Sequence, residues 1–176
     1  SRGLGDVYKR QLWDYVKDGT VDFIGSDHSP FLVSEKEKKD KDGNKDIFLS
    51  PSGFPGIDLR LPLMITEGLK RGVSLEKIVE LLSVNPAKLF HIFPQKGTIS
   101  AGADGDLVIV DMNKKVTCHA EDSYSQAKGI MKVYEGWQLD CAVDSTIVRG
   151  RVVYENGKVD ESASGWGEFV KPVLKK

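Results

Sequence analysis

The sequence has few cysteines and histidines, no long apolar run and no excess of charge. Of its 176 residues, two are cysteine and three are histidine, and 25 Lys and Arg face 26 Asp and Glu, for a net charge of −1. Nucleic-acid and membrane-surface binders carry a basic excess, so we expect neither partner. No apolar run approaches the roughly 18 residues that span a bilayer. The first residues also lack the pattern of a signal peptide, and we therefore expect a cytoplasmic protein.

The two cysteines, Cys118 and Cys141, are too far apart in sequence for a CxxC metal or redox site. Reduced, buried thiols are the expectation for a cytoplasmic protein. The composition, 40% hydrophobic and 29% charged, is that of an ordinary globular chain. Along the length of the chain, the pattern changes from helical spacing to short β-type runs.

We divide the chain into three segments. Residues 1–11 (SRGLGDVYKRQ) do not join smoothly to the pattern that follows and resemble a translated linker, so we interpret them as non-native, with a genuine N-terminal turn as the alternative. Residues 12–95 carry helical periodicity, and residues 96–176 carry β-type runs separated by turns. Helices followed by strands predict two domains, with the boundary near residue 95.

The first domain is predicted to begin with a helix from Leu12, followed by a buried strand over residues 21–25 (VDFIG). A second helix is expected over residues 57–71, and Ser74 can cap the next one. Asn85 is predicted to be an N-cap, with Pro86 at the first position of a short helix that runs through Phe90. In the second domain, the predicted strands are residues 97–99, 106–111, 146–148 and 152–154.

One constellation of residues indicates chemistry. Asp27 and His28 follow the predicted buried strand, and in barrel enzymes polar residues at the carboxyl ends of strands carry the catalysis. A carboxylate in that place can bind a divalent metal or act as a general base. The alternative is structural, with Asp27 as the cap of an Asx turn and His28 as a hydrogen-bonded loop histidine. His91, at a helix end, and His119, without ligand partners at metal-binding spacing, are interpreted as structural.

Residues 31–50 are predicted to form a loop with a dense run of charges. Within this loop, residues 35–46 contain five acidic residues and five lysines, whose charges cancel. A solvated loop is the ordinary interpretation of such a run, and a lid over a substrate pocket is the functional alternative.

Residues 18–30 (DGTVDFIGSDHSP) resemble the eighth barrel strand of the cyclic amidohydrolases, the family of allantoinases, hydantoinases, dihydropyrimidinases and dihydroorotases. Three further segments agree in the same order. Residues 53–57 (GFPGI) resemble the substrate-side loop, and residues 85–88 (NPAK) resemble the helix that follows. Residues 97–108 resemble the return into a small β-sandwich. The resemblance covers nearly the whole chain, from about residue 12 to residue 171.

The resemblance implies an α/β fold, with the C-terminal part of a (β/α)8 TIM-like barrel followed by part of a small β-sandwich domain. It also implies two divalent metal ions, usually zinc, bridged by a carbamylated lysine and hydroxide. Asp27 matches the aspartate that binds one metal and takes the proton of the hydroxide as it attacks a ring amide. Pro30, Gly53 and Phe54 match positions that contact the cyclic amide or ureide substrate. Family members are commonly oligomers, so we expect a homo-oligomer, either a tetramer or a dimer.

The chain departs from the family pattern in its metal ligands. It has no HxH pair, and three histidines cannot supply the full ligand set. A (β/α)8 barrel alone needs about 250 residues. We therefore expect a C-terminal fragment that hydrolyses nothing by itself, from an enzyme that acts on a C–N bond in a ring amide or imide.

Residues 26–30 (SDHSP) look most like allantoinases, with hydantoinases and dihydropyrimidinases or dihydroorotases next. Dihydroorotases tend to carry a histidine where this chain has Phe31, which argues against that activity. The main alternative is a non-catalytic, dihydropyrimidinase-like structural or interaction protein, and Asp27 argues against it. A free-standing α/β plus β-sandwich binding module is the third interpretation, although it would expose strand edges and apolar faces.

Overall fold

The computed structural model describes residues 2–173 of the chain, with side chains from residue 7 onward. Its first half is helical, and its second half is built from short strands. The described helices are α1 (Arg2–Asp18), α2 (Val33–Lys36), α3 (Arg60–Lys70), α4 (Leu75–Val79) and α5 (Asn85–Leu89). Over the described residues, none of these helices has the length and apolarity needed to cross a membrane.

Helix α1 begins at Arg2, although the apolar spacing predicts a helix only from Leu12. The helix therefore extends back into the segment that we interpret as non-native, and the origin of that segment stays a prediction. At its other end the helix stops at Asp18, whose carboxylate accepts a hydrogen bond of 2.8 Å from the backbone amide of Thr20. Gly19, between them, takes a left-handed conformation with φ of 87° and turns the chain away from the helix axis.

The core lies among α1, α3 and α4 and also includes a residue from the strand half. Its buried side chains are Val16, Ile65, Val73, Ile78, Leu81 and Cys141. Next to Cys141, the backbone amide of Asp140 donates a hydrogen bond of 2.9 Å to Thr66 Oγ1 in α3. The helical and strand halves therefore share one packed core, although the helix and strand patterns change near residue 95.

Helices α4 and α5 form one continuous helix, joined by a π-helical turn at Glu80–Val84. Ser74 caps this helix as predicted, since its Oγ accepts a hydrogen bond of 3.2 Å from a backbone amide of the first turn. The predicted N-cap at Asn85 is wrong, because the backbone is already helical there and Asn85 Nδ2 instead donates a hydrogen bond of 2.7 Å to the Asp22 carbonyl. Pro86 lacks the amide proton that an α-helix needs, and the wider π turn before it accommodates this absence.

Residues 21–25 do not form the predicted strand. A strand needs a hydrogen-bonded neighbour along its length, and within residues 2–173 no strand pairs with this segment. The segment contacts the helical half instead, where the Ile24 amide donates a hydrogen bond of 3.1 Å to the Leu81 carbonyl. A β-type pairing follows the segment, in the form of a parallel bridge between His28 and Phe54.

The second half contains a four-stranded antiparallel sheet and a two-stranded ribbon. The sheet has the strand order β1-β4-β5-β6, and β2 pairs with β3 in the ribbon. In chain order, the strands are β1 (Leu107–Asp111), β2 (Val116–Thr117), β3 (Gln138–Leu139), β4 (Ala142–Val148), β5 (Arg151–Glu155) and β6 (Lys158–Val159).

The predicted strands at residues 106–111, 146–148 and 152–154 are confirmed by β1, β4 and β5. The predicted strand at residues 97–99 is wrong, because Gly97 has φ of 82°, which breaks an extended run, and Ile99 is 87% exposed. A mixed α and β fold is thus confirmed. The barrel and the sandwich stay predictions.

Candidate active site

Asp27 and His28 lie at the turn that ends the extended segment. Asp27 has φ of 44°, a left-handed conformation that Asp tolerates better than most residues, and its side chain is exposed. The His28 ring is half-buried, and its Nδ1 accepts hydrogen bonds from the backbone amides of Gly56 at 3.2 Å and Ile57 at 3.4 Å. The ring therefore joins the aspartate turn (residues 27–30) to the loop that contains Gly56.

That loop, the glycine loop (residues 51–57), is pressed against the aspartate turn at Gly53. Gly53 has φ of 86°, and a Cβ placed on it would lie 2.7 Å from the Cβ of Ser29. The Ser29 amide also donates a hydrogen bond of 3.2 Å to the Phe54 carbonyl. The two segments bring together the predicted site residues Asp27, Pro30, Gly53 and Phe54.

Lys36 holds the glycine loop from α2. Its Nζ donates hydrogen bonds to the backbone carbonyls of Pro51 and Gly53 and lies 5.1 Å from the centre of the Phe31 ring. Lys36 is half-buried, whereas the other four lysines of the charge run are exposed. Sequence reasoning missed Lys36, because nothing local distinguishes it from those four. The closure of this segment as a lid stays a prediction.

A series of ring contacts connects Phe54 to two aromatic residues of the second half, Tyr134 and Trp137. The Phe54 and Tyr134 ring centres are 5.8 Å apart at 62°, and the Tyr134 and Trp137 ring centres are 5.6 Å apart at 85°. Burial raises the pKa of the Tyr134 phenol above its ordinary value. Sequence reasoning missed Tyr134 as a contact of Phe54. Their packing supports the Phe54 side of the glycine loop.

Asp58 directly follows the glycine loop and ties it to the second half. Its Oδ2 accepts a hydrogen bond of 2.7 Å from the Ser123 hydroxyl, while its Oδ1 is buried and has no hydrogen-bond partner among the described residues. Nothing in the sequence distinguishes Asp58 from a solvent-facing carboxylate. The bond nevertheless fixes the point at which the loop enters α3, because Ser123 is itself buried.

The remaining histidines and the cysteines have structural surroundings. His91 is exposed just after α5, and His119 Nδ1 lies 2.8 Å from Glu135 Oε1. The hydrogen bond to that carboxylate raises the pKa of His119 above its ordinary value. Cys118 and Cys141 are buried free thiols, as predicted, and burial raises the pKa of each.

The residues of this site do not by themselves fit a metal ion. Over residues 2–173, no three His, Cys, Asp or Glu side chains come together as a metal-binding group. A hydrolytic zinc ion takes three protein ligands, and the resemblance assigns this role to one described residue, Asp27. The described residues provide an exposed carboxylate beside a firmly held loop, whose backbone groups are of the type that bind amides.

Comparison with known proteins identifies the family. Residues 9–153 match the amidohydrolase family, and the chain belongs to it. Similar proteins within this class are hydantoinases. The L-hydantoinase of Paenarthrobacter aurescens is 39% identical over 163 residues, which cover 91% of this chain and 34% of that protein. The D-phenylhydantoinase of Escherichia coli O1:K1 is 32% identical over 162 residues, which cover 92% of this chain and 34% of that protein.

Solved structures agree with these relationships. The D-hydantoinase (dihydropyrimidinase) from Thermus sp. is similar with a TM-score of 0.74 and 32% identity, over 86% of this chain and 32% of that one. The L-hydantoinase (dihydropyrimidinase) from Arthrobacter aurescens has a TM-score of 0.71 and 38% identity, over 84% of this chain and 32% of that one. The resemblance to the cyclic amidohydrolases is therefore confirmed. The chain spans about a third of the length of these relatives.

Proposed function

We propose that these residues form part of the active site of a cyclic amidohydrolase of the hydantoinase and dihydropyrimidinase type. The complete enzyme adds water across a C–N bond of a ring amide or imide: the water oxygen bonds to the carbonyl carbon, the C–N bond breaks, and the nitrogen takes a proton. The observation that carries the proposal is the packing of the glycine loop on the aspartate turn, in a chain 39% identical to an L-hydantoinase.

Asp27 is the proposed catalytic carboxylate. Its side chain is exposed, while the next two residues, His28 and Ser29, are engaged with the glycine loop. A carboxylate within hydrogen-bond reach of the attacking water takes its proton and passes it to the leaving nitrogen. Gly53 and Phe54 are proposed to contact the ring together with Pro30, which belongs to the same turn as Asp27. Phe54 is 43% exposed and so offers an apolar surface to a ring.

We further propose that Asp27 is one ligand of a metal centre, whose other ligands come from outside these 176 residues. The resemblance implies that this centre holds two zinc ions. The chain alone is then predicted to be inactive. A (β/α)8 barrel needs about 250 residues, so residues 12–95 are proposed as its C-terminal part and residues 96–176 as part of the β-sandwich. A homo-oligomer, either tetramer or dimer, and a cytoplasmic location stay predictions.

For the substrate, we propose a hydantoin or a dihydropyrimidine first. The names of the similar proteins support this order, since they are hydantoinases and dihydropyrimidinases at 32–39% identity. Allantoin comes second, on the form of residues 26–30, and dihydroorotate third because of Phe31. These rings all present an amide or imide to the site, so the loop contacts alone do not rank them.

The test uses the complete enzyme, expressed from the reading frame that contains these residues and loaded with zinc. Ring opening of hydantoin, dihydrouracil, allantoin and dihydroorotate is compared at equal concentrations. Hydantoin or dihydrouracil is expected to open fastest. Fastest turnover of allantoin would move the proposal to the allantoinases, and no ring opening at all would favour the non-catalytic, dihydropyrimidinase-like alternative.

A further inference from the structure

Two side chains hold the glycine loop by hydrogen bonds, one as an acceptor and the other as a donor. At its far end, His28 Nδ1 accepts from the backbone amides of Gly56 and Ile57 at 3.2 and 3.4 Å. At its near end, Lys36 Nζ donates to the backbone carbonyls of Pro51 and Gly53. Each of these side chains satisfies two backbone groups that a turn of this kind leaves without partners in secondary structure.

The hydrogen bonds of His28 to the loop affect the site because Asp27 is the preceding residue in the chain. His28 is bonded covalently to Asp27, and the bridge between His28 and Phe54 sets the two segments side by side. Any shift of the loop against the His28 ring therefore changes the distance between the loop and the Asp27 carboxylate. The ring makes these contacts with its Nδ1, and neither it nor Lys36 needs to touch a substrate.

We infer that His28 and Lys36 are positioning residues, which set the glycine loop at its working distance from Asp27. The inference rests on the proposed function. Contacts between the loop and a ring amide form in the bound ground state as well as in the transition state, so loosening the loop weakens both alike. Uniform weakening of this kind raises KM and leaves kcat nearly unchanged.

His28 is tested with a matched pair of variants in the complete enzyme. His28→Leu introduces an apolar side chain that has no hydrogen-bond acceptor. His28→Asn places a carbonyl oxygen, which is an acceptor, near the position of Nδ1. We expect His28→Leu to raise KM about tenfold or more, as the loss of two hydrogen bonds predicts, and His28→Asn to recover most of the affinity. Equal KM values for the two variants would overturn the role of His28.

Lys36 gives a second test that does not alter a neighbour of Asp27. Lys36→Met keeps the length of the side chain and removes its donors, and Lys38→Met removes the same charge from an exposed site on the same segment. Only Lys36→Met is expected to raise KM, by about tenfold. The same rise in KM with Lys38→Met would show that the loss of charge alone causes the effect, and it would overturn the positioning role of Lys36.

Amide hydrogen exchange in the same proteins separates this inference from the proposed function. Gly56 and Ile57 amides should exchange at least about tenfold faster in His28→Leu than in His28→Asn, whether or not the enzyme is active, because only the Leu variant removes their acceptor. A wild-type enzyme that opens no ring would defeat the proposed function, and with it a positioning role in catalysis. Unchanged exchange in His28→Leu, or faster exchange with unchanged KM in an active enzyme, would overturn the inference alone.

Discussion

A Cβ atom on Gly53 would lie 2.7 Å from the Cβ of Ser29, closer than two carbon atoms approach without displacement. Ser29 lies two residues after Asp27, so this contact limits how near the glycine loop comes to the proposed catalytic carboxylate. The backbone of Gly53 is also left-handed, with φ of 86°, which a side chain resists. Two separate physical reasons therefore require glycine at this position.

Gly53→Ala in the complete enzyme is expected to lower kcat/KM by about tenfold or more, since a displacement of about 1 Å at a positioned group costs up to about a hundredfold. Gly72→Ala is the matched control, because Gly72 has φ of 78° but an added Cβ would meet no described atom within 4 Å. Both variants should lose about 1–2 kcal/mol of unfolding free energy from the left-handed backbone. Steady-state kinetics check the difference, and equal kcat/KM values for the two variants would contradict the contact.

Ile78 carries a large part of the helical core. It is 0% exposed, and a Cβ on Gly68 of α3 would lie 2.9 Å from its Cδ1. We expect Ile78→Ala to lower the free energy of unfolding of the complete enzyme by about 2–5 kcal/mol, because the cavity cannot close fully. Val79→Ala, at a 45% exposed neighbour, should lose less than about 1 kcal/mol. Denaturant unfolding measures the free energy of unfolding of both variants. Similar losses at the two positions would contradict the placement of Ile78 in the core.

His119 and Glu135 form an exposed pair whose pKa values shift in opposite directions. The hydrogen bond to Glu135 raises the pKa of His119, and the pKa of Glu135 is lowered by the backbone amide of Ala120 and then by His119. A raised histidine pKa contributes stability below the unfolded value of about 6.5, and the contribution disappears as the pH rises through the folded value. A lowered glutamate pKa contributes stability above about 4.3.

The pair should therefore stabilise the protein most between about pH 4.3 and 6.5. Glu135→Gln keeps an acceptor for the Ala120 amide and removes the charge, so it should lower the pKa of His119 towards its ordinary value. Histidine-selective NMR titration of the complete enzyme measures this, with the signal assigned by its loss in His119→Gln. Identical titration of His119 with and without the Glu135 charge would refute the pairing.

The hairpin strands of the second half were the easiest to predict, because the signals of their turns are local. Asn156 and Gly157 have φ of 51° and 80°, and Arg149 and Gly150 have φ of 46° and 78°. These are the left-handed pairs that two-residue hairpins need, and a glycine in each turn marks them in the sequence. The helical half was less predictable, because distant contacts decide its details: Asn85 looks like a helix cap, yet its amide binds a carbonyl of the extended segment.

The candidate site divides in the same way. Asp27 and Gly53 could be named from residue types and order along the chain, since both resemble motifs of one family. The bonds of His28 and Lys36 to the glycine loop could not, because they depend on how that loop folds back onto the turn and onto α2. A histidine beside a carboxylate and a lysine in a run of charges carry no local mark of such a role.

The role of Asp27 is the central claim, and Asp27→Asn in the complete enzyme tests it most directly. Asn tolerates the left-handed φ of 44° as well as Asp does, so the variant should keep the fold, with the circular dichroism and melting temperature of the wild type. It cannot act as a base, and turnover of hydantoin or dihydrouracil should fall by at least about a hundredfold. Wild-type turnover in a folded Asp27→Asn enzyme would contradict the account.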